Sequence, residues 1–342
     1  MKKKKFDFKD ITIVPETVSS IISRKEINIL TEENKLPLMV SPMDTVVNYE
    51  NLYKFHNKGM VVCLPRGESQ ISETFWSISL DDFDIIVENE ILLTSKRPIH
   101  ILVDIANGHI KKLHNLCERF IKQNKKGVHK LMVGNIANPK TYKVLSEIGV
   151  DYVRVGIGGG SGCLTSANTG VHYPMASLIN ECFKIKKKNN YTTKIVADGG
   201  FRNYDDVIKA LALGADYVML GGILNKTLES CSQTKLFNLI PLTDEHSNYV
   251  WYNLKFLRKF MYKNFRGMST KQVQRKWGKL SLRTSEGIVK TNKVEYTLGQ
   301  WVDNFSDYLR SAMSYTNSQN LEEFKDSDIV FITENALKRF NK

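Results

Sequence analysis

The residue types best suited to chemistry lie in one short run, Gly156-Ile157-Gly158-Gly159-Gly160-Ser161-Gly162-Cys163. Five glycines among seven residues let the backbone turn sharply and approach a ligand closely. Cys163 stands where that glycine-rich segment ends. A thiolate is both a strong nucleophile and a good leaving group, so the pattern suits covalent catalysis on a bound, anionic small molecule. The other cysteines, Cys63, Cys117, Cys182 and Cys231, are spread widely, and none forms a Cys-x-x-Cys pair. That spacing disfavours structural zinc and a disulfide framework.

A nucleophile on a loop needs a rigid frame. Short apolar runs at 36–40, 60–63, 101–105, 130–133, 152–155, 194–197 and 217–220 read as strands, with a further candidate at 265–268. Helical patterns at 110–122, 139–148, 175–187 and 204–213 fall between them. Repeated strand-then-helix units call for a parallel sheet, and about eight of them suggest a closed (β/α)8 TIM barrel. The whole chain, 1–342, reads as one such domain. The strands end in Met43-Asp44, Asp104, Gly134-Asn135, the glycine–cysteine loop, Asp198-Gly199-Gly200 and Gly221-Gly222. In a barrel all of these share the C-terminal rim, where barrel active sites sit. The alternation breaks over 236–264, and Lys-rich sequence follows to 293. That region, about 236–300, reads as an insertion and a mobile flap over the barrel mouth.

Composition narrows the function classes. Lys and Arg number 49 against 36 Asp and Glu, a net charge of +13. The basic residues are scattered apart from Lys2 to Lys5 and Lys186 to Lys188, and no nucleic-acid motif stands out. A solvated Lys-rich surface that attracts phosphorylated metabolites is the simpler reading, with no specific nucleic-acid partner. No apolar run is long enough to span a bilayer. The basic N-terminus has no apolar run behind it, so it does not read as a signal peptide, and a cytoplasmic protein is expected.

Several segments, in order, resemble the inosine monophosphate dehydrogenase / guanosine monophosphate reductase family. They are Phe8-Lys9-Asp10, Met43-Asp44-Thr45-Val46, Asp104-Ile105-Ala106-Asn107-Gly108, Gly134-Asn135, the 156–174 loop, Asp198-Gly199-Gly200, Leu220-Gly221-Gly222, Gly267-Met268-Ser269 and Glu286-Gly287. The reductase is favoured by the form of the 104–108 segment and by Thr169-Gly170-Val171 before Tyr173-Pro174. It is also favoured by the lack of a regulatory CBS insert between the second and third predicted strands. The resemblance implies that Cys163 attacks purine C2 of GMP, ammonia leaves, and hydride from NADPH gives IMP. It implies that Thr165 and Glu286 handle protons. Ser161, Gly200, Gly221 and Gly222 would cradle the 5′-phosphate, and Asp198 with Gly199 would meet the ribose. Gly267, Met268 and Ser269 would take the base, bordered by Arg283 and Gly287. Asp104, Ala106 and Asn107 would face the nicotinamide, with Arg66 near the cofactor. Carbonyls of Gly158, Gly160 and Cys163 would hold a monovalent cation such as potassium, and the barrels would form a homotetramer.

The chain departs from the family pattern in places. Leu64-Pro65-Arg66-Gly67-Glu68 replaces a His-Lys-His type segment, and Arg is no simple substitute for Lys. Gly162, Leu164 and Ser166 around the cysteine are also atypical, as is 288–299. A deoxynucleotide such as dGMP, NADH in place of NADPH, and the dehydrogenase direction (IMP and NAD to XMP) stay open. So does a catalytically weak relative that binds nucleotide or nucleic acid. His109 and His172 read as exposed loop histidines.

Overall fold

Eight short strands close on themselves: β1 (Leu38–Val40), β2 (Val61–Leu64), β3 (Thr74–Ile78), β4 (His100–Asp104), β5 (Lys130–Ile136), β6 (Tyr152–Val155), β7 (Lys194–Asp198) and β8 (Tyr217–Leu220). All neighbours are parallel, and β1 pairs with β8 through Leu38 opposite Val218 to complete the barrel. The computed structural model describes residues 4–90, 97–124, 127–276 and 287–340. Inward side chains, among them Met39, Cys63, Phe75, Leu102, Met132, Tyr152, Val196 and Tyr217, fill the barrel. Outward ones such as Val40, Val62, Ile101, Val133, Val153 and Val218 pack under the surrounding helices. Burial on both faces is why these strands read as continuous apolar runs. Each fully buried aliphatic or aromatic side chain contributes about 1.5–3 kcal/mol.

The helices observed at Lys111–Gln123, Pro139–Ile148, Met175–Asn189 and Tyr204–Ala212 match the sequence pattern closely. Two expectations need correction. The barrel's third strand is Thr74–Ile78, which the pattern missed, and 101–105 belongs to the fourth. Thr74 and Ser77 interrupt that strand's apolar character although both are buried. The 265–268 candidate is no barrel strand. Residues Met261–Arg266 (β11) lie in an antiparallel sheet with β9 (Thr234–Leu236), β10 (Ile240–Pro241) and β12 (Val289–Lys293), in the order β10-β9-β11-β12. The stretch from 236 to 264, read as an insertion, is thus part of this sheet together with the helix Asp244–Asn253. Between β2 and β4 the described residues hold β3 and the helix Leu80–Glu88, with no regulatory domain.

At the opposite end, the Glu33 carboxylate accepts hydrogen bonds from the hydroxyls of Tyr152 (2.7 Å) and Tyr217 (3.1 Å), capping the barrel floor. Beside it Asp216, just before β8, is buried between Lys186 and Lys325, each 2.7 Å away. Lys325 lies just beyond the short helix Leu321–Phe324, so this pair ties the C-terminal region to the barrel.

Candidate active site

The inward positions two residues beyond Leu102, Tyr152 and Val196 are Asp104, Arg154 and Asp198. Strand alternation therefore stacks a charged layer on the apolar core. Arg154 donates to Asp104 Oδ1 at 2.7 Å and to Asp198 Oδ2 at 2.8 Å. Burial opposes its charge, but the two carboxylates outweigh burial and hold the guanidinium protonated. Asn135 also donates to Asp198 Oδ2 (2.8 Å) and to the Gly156 carbonyl (2.7 Å). Both bonds fall on Oδ2, which leaves Asp198 Oδ1 able to accept from a ligand hydroxyl. Arg66 Nε stands 3.6 Å from Asp104 Oδ2.

Above this layer opens a cavity of about 450 Å³. Among the cysteines, Cys163 lines it. Burial drives the thiols of Cys63, Cys117 and Cys182 well above the usual range and pushes that of Cys231 up to about 12. The Cys163 thiol donates to Thr165 Oγ1 at 3.1 Å. Its loop closes on itself: the Cys163 amide bonds the Gly160 carbonyl and Ser166 Oγ bonds the Gly158 carbonyl, both at 2.9 Å. Gly158 has φ +76°, and a Cβ there would sit 2.5 Å from that of Ser166, so only glycine fits.

The antiparallel sheet delivers two more segments to this loop. Cys163 pairs with Gly287 as an isolated β-bridge, and the Ile288 amide bonds the Gly162 carbonyl at 3.0 Å. The Gly267 amide bonds the Ile288 carbonyl at 3.0 Å. A Cβ on Gly267 would lie 2.3 Å from the Gly162 carbonyl oxygen, so this junction admits no side chain there. Arg266, at the end of β11, grips both carboxylate oxygens of Asp44 after β1, its Nε at 3.1 Å. Lower on β11 the buried Lys263 donates to the Leu228 and Ser230 carbonyls at 2.8 and 2.6 Å. The Asn225 amide bonds the carbonyls of Thr45 and Asn264. The sheet is thereby pinned to the barrel mouth at several points.

The structure gathers most residues singled out from sequence. Ser161, Cys163, Thr165, Asp198, Gly199, Gly200, Gly221, Gly222, Gly267, Met268 and Ser269 line one cavity with Asp104, Ala106, Arg66, Gly158 and Gly160. Asn107 is not in that lining: it is exposed, and its carboxamide oxygen accepts the His109 amide at 3.1 Å. Gly287 reaches the cysteine through the β-bridge rather than the cavity wall. Glu286 and Arg283 lie outside the described residues. His109 is half-buried and serves the scaffold, its two ring nitrogens meeting Thr141 Oγ1 (2.9 Å) and the Ala137 amide (3.1 Å). His172 is exposed, with Nδ1 2.9 Å from the Ile157 carbonyl. Sequence reasoning missed Arg154, Asn135 as a ligand of Asp198, and the Asp44–Arg266 pair. The available signal was a lone arginine inside an apolar strand, which burial on both faces would force into an ion pair.

The model of the IMP dehydrogenase / GMP reductase domain matches residues 87–341, well over half the chain. The chain belongs to the IMP dehydrogenase / GMP reductase family. Its relatives include a GMP reductase of Buchnera aphidicola, 29% identical over 98% of this chain and 97% of that protein. The GMP reductase of Onchocerca volvulus is 26% identical over 98% of this chain and 93% of its own length. An inosine-5′-monophosphate dehydrogenase of Aquifex aeolicus is 32% identical over 66% of this chain and 43% of its own length. Family membership makes the chain an oxidoreductase, and the reductases match it nearly end to end. Among the described residues no helix is long and apolar enough to cross a membrane.

Proposed function

We propose that the protein catalyses NADPH-dependent reductive deamination of GMP, or of a related guanine nucleotide such as dGMP, to IMP and ammonia. The observation that carries this reading is the place of Cys163. It faces the cavity with its thiol on Thr165, on a rim shared with Asp198 and the glycine turns. In this reading the 5′-phosphate lies on backbone N–H groups around Ser161, Gly200, Gly221 and Gly222. Asp198 Oδ1 accepts from the ribose, and Met268 and Ser269 hold the base.

The Cys163 thiolate attacks C2, and a C–S bond forms. Thr165, with Glu286 as the family's partner for it, passes a proton to the 2-amino group. The C2–N bond then breaks with its electron pair on ammonia, leaving a thioimidate on Cys163. NADPH supplies a hydride when bound, reducing C2 by two electrons. The C–S bond breaks with its pair on sulfur, which releases IMP and restores the thiolate. Asp104, between Arg154 and Arg66, and the exposed Ala106 edge suit the nicotinamide side. The carbonyls of Gly158 and Gly160 already accept bonds from Ser166 and Cys163, so a potassium ion there would compete with protein donors.

The 32% identity to a dehydrogenase supports a second reading, oxidation of IMP to XMP with NAD. Following nicotinamide absorbance separates the two. We expect NADPH oxidation with GMP, lost in Cys163→Ser while GMP still binds. Absence of NADPH oxidation with GMP or dGMP, or full activity in the serine variant, overturns the proposal. A homotetramer in the cytoplasm is part of the same reading, and light scattering gives its mass.

A further inference from the structure

Five carbonyls of the loop that presents Cys163, those of Gly156, Ile157, Gly158, Gly160 and Gly162, accept hydrogen bonds from the protein. The Asn135 carboxamide donates to Gly156 at 2.7 Å, and the Cys163 and Ile288 amides donate to Gly160 and Gly162 at 2.9 and 3.0 Å. Ile157 and Gly158 are held from the far side of the cysteine. Ser166 Oγ, in the first turn of the short helix Thr165–Thr169, donates to the Gly158 carbonyl at 2.9 Å. His172 follows Gly170, which caps that helix, and its Nδ1 lies 2.9 Å from the Ile157 carbonyl. A carbonyl has no proton to give, so Nδ1 is the donor. Neighbouring carbonyls are thus gripped from either end of one short helix, and the chain entering the loop is clamped to the chain leaving it around Cys163. The Ser166 contact is tight as well as polar, since a Cβ on Gly158 would lie 2.9 Å from the hydroxyl oxygen.

Glycine-rich backbone gives up more conformational freedom on ordering than other sequence, so this loop keeps one shape only if something fixes it. In the family resemblance that agent is a monovalent cation on the carbonyls of Gly158, Gly160 and Cys163, and such an ion exchanges its water for several carbonyl oxygens. The donors found here do not suit it. Those on Gly158 and Gly160 turn the positive end of an O–H or N–H bond towards an oxygen the ion would need, and like signs repel. We propose that Ser166 and His172 stand in for the cation: they are positioning residues that hold the loop in its cysteine-presenting shape, so that turnover needs no potassium. The turnover half rests on the reductase reading, whereas the clamp is read on the Cys163 thiol alone.

Two measurements on the full chain test this: NADPH oxidation with GMP, and the rate at which iodoacetamide alkylates Cys163, followed by mass spectrometry. Each is run in potassium chloride and in choline chloride at equal ionic strength. We expect the wild-type rates in the two salts to agree within about twofold, because the order of the loop does not depend on the ion. Ser166→Ala and His172→Phe each remove one donor. In choline chloride each should lower kcat about tenfold, with KM for GMP and the melting temperature little altered. Each should also speed alkylation of the half-buried Cys163 thiol as the loop loosens. His172→Asn, whose amide nitrogen can take the place of Nδ1, should restore kcat. Potassium should recover part of the loss in Ser166→Ala, where the Gly158 carbonyl has lost its donor. Activation of the wild type by potassium beyond twofold overturns the proposal. So do unaltered kcat and alkylation in both single variants. A wild type that oxidises no NADPH with GMP or dGMP overturns the reductase reading and the turnover half with it, and the alkylation rates then decide the clamp.

Discussion

Cys163 and Arg154 divide the site between the proposed nucleophile and a buried counter-ion. The sulfur lines the cavity, while the guanidinium on its floor bonds two carboxylates and orients them. Removing that guanidinium leaves Asp104 only its longer contact with Arg66 and Asp198 only the bond from Asn135. Arg154→Met should therefore destabilise the protein by about 3–5 kcal/mol, read from urea unfolding, and Asp104→Asn in the same chain should recover part of the loss. Cys163, Asp198 and the paired glycines were legible from sequence because each stands at a strand end, where the local pattern changes. Arg154 was not. One charge in a four-residue apolar strand gains its meaning only when β4 and β7 bring carboxylates to either side, and that is a property of the closed sheet.

Strands and loops repeat this division between local and assembled information. Helix Pro139–Ile148 was readable to the residue because proline at its start and glycine after its end mark both limits. Strand β3 was not, since its buried Thr74 and Ser77 resemble loop residues until their neighbours enclose them. The antiparallel sheet was read as an insertion because its strands pair across long separations, with β11 placed between β9 and β12. Its attachment through Asp44 and Arg266 has a measurable role. Asp44→Asn removes one charge from a two-point grip that holds the start of the 267–269 segment. The KM for nucleotide should rise about tenfold, with kcat and thermal stability little altered. A change confined to kcat would show that the grip positions reacting atoms instead.

Across the whole molecule the two ends of the barrel carry different duties. The mouth holds the cavity with Cys163, and the floor holds Glu33 with its two tyrosines and Asp216 with its two lysines. Burial opposes ionisation of Asp216, but Lys325 and Lys186 outweigh it and hold the carboxyl below its ordinary value of 3.8. A lowered folded pKa gives stability that is complete above the unfolded value and is lost as pH falls through the folded one. Asp216→Ala should cost about 3–5 kcal/mol near neutral pH by leaving two buried ammonium groups. The gap from wild type should narrow on acidification below the ordinary aspartate range, in denaturant titrations run at several pH values. GMP affinity should stay unchanged at temperatures where the variant is folded. The mouth has a different kind of indivisibility. Gly162, Gly267 and Ile288 are joined by backbone hydrogen bonds across three separate stretches of chain. The smallest piece that could be grafted onto another barrel with its thiol correctly presented is therefore discontinuous. A designer who copied the glycine–cysteine loop alone would transplant a nucleophile without the two strands of backbone that hold it still.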